Sequence, residues 1–327
     1  MSVRSLWKNA FAAFLILAVC QIAVVAQYTT EEYAAYESAI NADPAEREDT
    51  IVEFITTNPR STLVEYAIGS YLQLMQEYQN QGQSQNVFSA GEKLLTLKPD
   101  ELNTLYMTAY AAYVLQQYEK VTTYAEQVYT QQPDAGIASI LAMSHLQLNN
   151  EEKVIEYGGK ACAELDPKDC YEIMSALAKI YAGRKNWTEA APYAEKTIEG
   201  FDAAQKPPQV SESRWVEVMN KEKATAYTIL GREAAEGKNW TTAISHYSEV
   251  LTLSDDPALK GEAYFYTGMG RWEQKQLDPA MEAFAQGSVQ RGAPHAKNCR
   301  QYLETLYKSG HNDSLAGLEE FVERVTR

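Results

Sequence analysis

The sequence predicts an all-α fold, an α-solenoid in which antiparallel helix pairs follow one another along the chain. Pro99, Pro133 and Pro167 are separated by intervals of 34 and 34 residues, and proline just past a helix end is a typical stop signal. Residues 102–133 divide into two segments of helical apolar periodicity around a turn near Gln117. A fixed period of this length indicates a repeat protein built from helix-turn-helix units.

The same arrangement of small and large side chains returns in residues 174–197, 227–250 and 264–287. Small residues on the two helices of a unit allow close contact, and aromatic residues fill the space between units. The set comprises Ala109, Ala178, Gly231, Gly268, Ala190, Ala243, Ala280, Trp187, Trp240, Tyr247 and Phe284. This pattern resembles the tetratricopeptide repeat (TPR) family, whose unit is a 34-residue helix-turn-helix. The resemblance implies a TPR-like right-handed superhelix with a concave face lined by the first helices.

Residues 1–26 are predicted to be an export signal. Arg4 and Lys8 precede a 17-residue apolar stretch, after which the chain becomes polar at once. A small side chain at the end of that stretch suits cleavage after Ala26. Two alternatives stay open. One is an uncleaved membrane anchor, since 17 residues lie at the lower edge of what spans a bilayer. The other is a lipoprotein acylated at Cys20.

The remainder of the chain is long enough for eight helix pairs. They are predicted as a degenerate first unit over 27–60, repeats over 61–200, an insertion with a Pro-rich loop and a helix extension over 201–222, further repeats over 223–291, and a divergent capping pair over 292–327. Second helices are expected around Val87, Val121, Ile155, Ala190, Ala243, Ala280 and Leu315. A smaller insertion is expected between the helices of the second unit, over residues 77–83.

Several helix starts are predicted from capping residues. Thr29 with Glu32 has the spacing of a capping box, and Asp43 with the proline after it is a typical helix start. Thr188 and Thr241 each follow a turn tryptophan and are expected to cap the second helices of their units.

The composition excludes several classes of function. The formal net charge is −15, and residues 27–327 carry −17 because the first 26 residues hold two cations and no acid. A surface this acidic repels phosphate backbones and anionic lipid, which argues against nucleic-acid binding and against electrostatic docking on membranes. No later segment is apolar enough to span a bilayer. Because known catalytic motifs, phosphate-binding loops and metal-ligand spacings are missing from the sequence, we expect no enzyme activity, no cofactor and no metal site.

The cysteines allow one disulfide. Cys162 and Cys170 flank a predicted turn, and an oxidising compartment would permit a bridge between them. The alternative is that both are small buried residues. Cys299 is expected to be unpaired and buried.

The TPR resemblance implies which first-helix positions face the groove. In this sequence they are Tyr66, Tyr106, Tyr110, Tyr113, Ile140, Lys179, Arg232, Phe265, Met269 and Trp272. We expect aromatic or aliphatic partner side chains to bind at the two ends of the groove and a carboxylate to bind near Lys179 and Arg232. The alternative is that the aromatic residues cover seams between units, since the chain has 22 tyrosines.

The predicted function is a non-enzymatic interaction scaffold of the bacterial periplasm, with a protein or peptide partner held in the groove. The export signal, residues 57–61 and residues 66–69 resemble periplasmic TPR proteins of envelope assembly and division. The alternative is a structural or assembly subunit of an envelope complex that acts through its convex face or its ends.

Overall fold

The computed structural model describes residues 28–327, and within this range it contains α-helices and no strand. The sixteen helices are α1 Thr30–Ile40, α2 Arg47–Thr57, α3 Val64–Asn80, α4 Ser84–Leu97, α5 Leu102–Val114, α6 Tyr118–Gln131, α7 Ala135–Gln147, α8 Glu151–Glu164, α9 Pro167–Gly183, α10 Trp187–Ala203, α11 Glu212–Glu236, α12 Trp240–Leu253, α13 Pro257–Glu273, α14 Leu277–Ser288, α15 Ala296–Gly310 and α16 Leu318–Thr326. The predicted all-α repeat fold is confirmed. The predicted export signal, with its cleavage site and the alternatives at Cys20 and in the apolar stretch, lies outside the described residues.

Consecutive helices form eight pairs in the described range, from α1/α2 to α15/α16. Residues 28–164, with α1–α8, and residues 165–327, with α9–α16, are two compact units, here called the N-terminal and C-terminal units. Within each unit, helices that are consecutive in the chain pack against each other. First helices also pack side by side: α1 on α3 and α3 on α5 in one unit, and α9, α11, α13 and α15 in order in the other.

Six of the pairs in the described range share one type of turn. The residue directly before the N-cap of the second helix has a left-handed backbone, with φ between 55° and 73°. The six residues are Gly82, Gln116, Asn149, Lys185, Lys238 and Lys275. The next residue is asparagine or glutamine in all six, and its amide donates to the carbonyl five residues earlier at 2.8–2.9 Å. This bond satisfies a carbonyl that the helix end would leave without a partner. The same geometry therefore sets the start of six second helices.

This turn corrects two of the predicted caps. Asn186 and Asn239, and not Thr188 and Thr241, occupy the N-cap positions of α10 and α12. Their side-chain oxygens accept the backbone amide three residues further on, at 3.4 Å in both cases. The reason is positional, because the left-handed residue directly before each asparagine ends the turn there.

The predicted start of α1 is confirmed, and that of α2 is wrong. Thr29 Oγ1 accepts the amide of Glu32 at 3.1 Å, and the Glu32 carboxylate accepts the amide of Thr29 at 2.7 Å, which completes a capping box. Helix α2 begins only at Arg47. The residues before it form a turn in which the carbonyl of Asp43 accepts the amides of Glu46 and Arg47 at 2.8 and 2.9 Å.

Two further expectations differ from the structure. The insertion expected over 77–83, between the two helices of its unit, instead lengthens the first of them, because residues 77–80 belong to α3, which has 17 residues against 13 in α5. Leu315 is not on a second helix but in the turn before α16, which begins at Leu318. The N-cap of α16 is Gly317 with φ 86°, a left-handed conformation that interrupts any earlier helical run.

The large insertion has the predicted form of a loop followed by a helix extension. Helix α11 has 25 residues, and Ser211 Oγ caps it by accepting the amide of Arg214 at 3.3 Å. Trp215 in the first turns of α11 is only 8% exposed. Its ring centroid lies 6.3 Å from that of Tyr171 and 6.0 Å from that of Phe201. The extension is thus anchored to α9 and α10 by an aromatic cluster.

Within two helix pairs a glycine of the first helix faces an aromatic ring of the second helix, where the sequence predicts small residues opposite each other and aromatic residues between units. A Cβ added to Gly268 of α13 would lie 2.5 Å from the ring of Phe284 on α14, and one added to Gly231 of α11 would lie 2.9 Å from the ring of Tyr247 on α12. Phe284 and Tyr247 are fully buried. Only the absence of a side chain lets these rings approach, as in a close-packed core.

Candidate interaction surface

In the C-terminal unit, α9 and α11 are linked by a polar cluster in which Ser175 is buried, Glu222 is half-buried and Lys179 is exposed. The Glu222 carboxylate accepts a hydrogen bond from Ser175 Oγ at 2.5 Å and from Lys179 Nζ at 2.5 Å. Burial alone would raise the pKa of Glu222, but these two donors outweigh it and the pKa lies below its ordinary value. Lys179, predicted to receive a partner carboxylate, already binds one from its own chain.

Arg232 on α11 is held in a similar way. Its guanidinium lies 5.2 Å from the ring centroid of Trp187 and 4.7 Å from that of Tyr266, within cation–π distance of both. Its Nε lies 3.0 Å from Glu236 Oε1, and its Nη1 lies 3.8 Å from Glu262 Oε1. The second predicted carboxylate-binding cation therefore also has carboxylates of this chain beside it.

Of the two carboxylates beside Arg232, Glu262 on α13 is less exposed than Glu236 on α11. Tyr247 Oη donates to its Oε1 at 3.5 Å. Burial raises the pKa of Glu262, and the nearby Arg232 charge opposes that effect without cancelling it. The Arg232 cluster is therefore a half-buried network whose geometry is fixed by four helices, α10, α11, α12 and α13.

These side chains form one surface, which we call the α9–α13 face. Its members are Glu172, Ser175, Lys179, Glu222, Arg232, Glu236, Glu262 and Tyr266, carried by α9, α11 and α13. Glu172 is exposed one turn before Ser175, and its charge interacts unfavourably with that of Glu222. The face holds four carboxylates against two cations.

The predicted aromatic end of the groove in the C-terminal unit takes part in core packing. The ring centroid of Phe265 lies 4.8 Å from that of His295 and 5.9 Å from that of Tyr302. Trp272 lies 5.6 Å from the same Tyr302 ring, and Met269 packs against the same cluster. All three predicted residues are half-buried between α13, α14 and α15. This is the placement that the seam-covering alternative describes, and their role in binding stays a prediction.

In the N-terminal unit, the predicted tyrosines lie on two first helices, α3 and α5. Tyr66 on α3 is 66% exposed. Tyr106, Tyr110 and Tyr113 are half-buried on α5, and their spacing of four and three residues places them on one side of the helix. Ile140 on α7 is only 2% exposed, so it belongs to the core and not to an accessible surface.

Cys162 in α8 of the N-terminal unit and Cys170 in α9 of the C-terminal unit are both buried. Their pairing stays a prediction. Cys299 is free and buried, as expected, and burial raises the pKa of its thiol to about 12, so the thiol is protonated at neutral pH.

The carboxylates of the α9–α13 face are the functional candidates that sequence reasoning missed. Glu222 lies at the edge of the inserted segment, where the 34-residue period has no equivalent position. Glu236 could have been found, because it follows Arg232 by four residues on one helix, the spacing of a helical ion pair. Glu262 meets Arg232 only through the packing of α11 on α13.

Within residues 28–327, every helix is too short or too polar to cross a membrane.

Comparison with known proteins concerns solved structures, since neither a family model nor a curated protein matches the sequence. The chain is similar to PilF of Pseudomonas aeruginosa at 11% identity and a TM-score of 0.40, over 72% of this chain and 96% of that one. It is similar to a tetratricopeptide repeat protein from Parabacteroides merdae at 14% identity and a TM-score of 0.38, over 84% and 96%. It is also similar to YrrB, a TPR protein with an unusual peptide-binding site, at 12% identity and a TM-score of 0.25, over 77% and 97%. TPR proteins, the family that the sequence resembles, are thus among the similar structures.

Proposed function

We propose that this chain is a non-enzymatic protein-interaction scaffold. It binds an extended peptide or a partner helix on the surface formed by its first helices. The observation that carries the proposal is the α9–α13 face. Its charged side chains are held by contacts at 2.5 Å around Glu222 and 3.0–3.8 Å around Arg232, and they remain half-buried or exposed. Such prepared polar groups reduce the ordering cost of binding a partner.

We place this scaffold in the bacterial cell envelope. The support is the sequence pattern of residues 1–26 and the acidic composition of the remainder, which disfavours nucleic acid and anionic lipid as partners. In that compartment the protein would hold one partner protein while its helix pairs provide a surface longer than a single domain offers.

One observation favours the alternative of an assembly subunit that acts through an end of the chain. At the start of the described range, Tyr28 and Tyr33 are both exposed, and their rings stack with centroids 5.7 Å apart. Helix α1 buries only Ala39 among its residues. Exposed stacked aromatic rings at the edge of a helical repeat are suited to contact with another protein.

Site-specific photo-crosslinking tests the two proposals in one experiment. A photoreactive phenylalanine analogue is placed at Tyr66 or Lys179 on first helices, at Tyr33 on α1, and at exposed Glu195 on α10 as the control. The scaffold proposal expects one partner, identified by mass spectrometry, at Tyr66 or Lys179 but not at Glu195. Adducts only at Tyr33 would establish the assembly alternative, and equal adducts at all four positions would contradict both.

A further inference from the structure

The two cations of the α9–α13 face do not offer an anion site. Lys179 is bonded to Glu222, and Arg232 lies between Glu236 and Glu262. A partner carboxylate would have to displace one of these groups or approach four carboxylates that outnumber the cations. Like charges brought together in a half-buried surface repel each other strongly.

The same face has carboxylate oxygens that could accept hydrogen bonds from an additional cationic group. Both donors to Glu222 bond its Oε2, and Oε1 accepts no hydrogen bond from residues 28–327. Glu172 lies exposed nearby on α9, so two acceptors on neighbouring helices could share one ammonium or guanidinium group. Glu236 is half exposed further along α11. The acceptors thus occur at more than one point along the face.

The Arg232 cluster shows within this chain how such a group is held. A guanidinium there is flanked by two aromatic rings at 4.7 and 5.2 Å and neutralised by two carboxylates. The charge of −17 over residues 27–327 adds long-range attraction for a basic partner and repulsion for an acidic one.

We infer that the α9–α13 face binds a basic segment of a partner protein, with lysine or arginine side chains placed against Glu172, Glu222 and Glu236. This inference rests on the proposed scaffold function and specifies the chemistry of its partner. It replaces the carboxylate that the sequence led us to expect near Lys179 and Arg232 with a group of opposite charge.

The test measures binding of three fluorescein-labelled peptides of equal length by anisotropy, at an ionic strength near 0.15 M, where the Debye length is about 8 Å. The peptides alternate serine with arginine, with glutamate or with glutamine. We expect the purified protein to bind the arginine peptide at least about tenfold more tightly than either of the others. Tighter binding of the glutamate or glutamine peptide would overturn the inference.

Matched variants separate a local site from the overall negative charge. E172Q/E222Q/E236Q removes the three proposed acceptor charges from the face, and E195Q/E199Q/E249Q removes three from exposed positions on second helices. We expect about a tenfold loss of affinity for the arginine peptide in the first variant and less than about twofold in the second. Equal losses would show that only net charge matters. The single variant E172Q, at an exposed position, replaces the first triple if that protein does not keep its melting temperature.

The crosslinked partner distinguishes this inference from the proposed function. If E172Q/E222Q/E236Q abolishes the Lys179 crosslink although the arginine peptide does not bind, the scaffold function stands and the basic-partner inference fails. If the crosslink persists unchanged in that variant, the partner contacts the face without these carboxylates, so the scaffold function stands and the basic-partner inference fails. If the wild-type protein gives no crosslink at Tyr66 or Lys179, the scaffold function itself fails.

Discussion

His145 is a titratable side chain enclosed by the core of the N-terminal unit. It is only 6% exposed, its ring stacks on Tyr157 with centroids 5.8 Å apart, and its Nε2 lies 3.4 Å from Glu126 Oε1. Lys153 and Glu156 on α8 also act on it electrostatically. Burial outweighs the attraction of the carboxylates and lowers the pKa of His145 below its ordinary value.

We therefore expect acid to weaken the fold through this residue. The unfolded chain binds the His145 proton more tightly than the folded chain, so stability is fully present above the unfolded pKa, about 6.5, and is lost as the pH falls through the lowered folded pKa. Urea unfolding between pH 7.5 and 5 should show a shallower decline for H145Q than for the wild type. An unchanged slope in H145Q would contradict the assignment.

Gly268 shows how much one methyl group can matter in this packing. In Gly268→Ala the new Cβ would lie 2.5 Å from the fully buried Phe284 ring, which has no room to retreat. We expect a loss of about 1–3 kcal/mol in the free energy of unfolding, measured by denaturant titration. Gly159→Ala in α8 is the control, since nothing lies within 4 Å of its added Cβ. That variant should gain roughly 0.5–1 kcal/mol, and equal losses in both would refute the packing argument.

At the scale of elements, Trp215 is the one buried side chain of residues 212–221, the N-terminal extension of α11. Trp215→Ala removes the ring that packs on Tyr171 and Phe201, and replacing a buried large side chain in this way costs about 3–5 kcal/mol. We expect faster hydrogen exchange in residues 212–221 by mass spectrometry. The neighbouring Val216→Ala, at a position 42% exposed, should leave exchange unchanged. Protection that survives in Trp215→Ala would show that the loop, and not the ring, holds the extension.

How much of these elements the sequence predicts depends on the range of the contacts. Helix pairs follow from a local repeated pattern, so Gly231 and Ala243 can be assigned to the two helices of one pair from the sequence alone, although the contact of Gly231 with Tyr247 is not predicted. The pairing of Lys179 with Glu222 cannot, because it joins residues 43 apart across an insertion of irregular length. Helix starts fall between these cases, since Asn186 competes with Thr188 for one cap and only the backbone of the turn decides.

At the scale of the whole molecule, export is the property that the sequence predicts most directly. If residues 1–26 are removed after Ala26, mass spectrometry of the exported protein should find Gln27 at its N-terminus. A chain retained in the membrane fraction with residue 1 intact would identify an anchor. A diacylated Cys20 would identify a lipoprotein.

Export also bears on the two buried cysteines. In an oxidising compartment we expect a bridge between Cys162 and Cys170, detected as one linked peptide in a non-reducing digest. Protein kept reduced in the cytoplasm is the control, and it should give two separate peptides. Free thiols at both positions in exported material would leave them as small buried residues.

The turn shared by six helix pairs has a meaning for how such a gene can change. Because the chain passes through the same left-handed residue and the same hydrogen bond at each of these points, from Gly82 to Lys275, two different turns present identical backbone ends. A recombination event that joins one turn to another therefore creates no new backbone geometry at the junction. Duplication or loss of sequence between turns adds or removes a second helix together with the first helix that follows it. The gene can in this way lengthen or shorten its product in steps of one helix pair. Point substitutions on the first helices then alter which side chains each helix pair exposes.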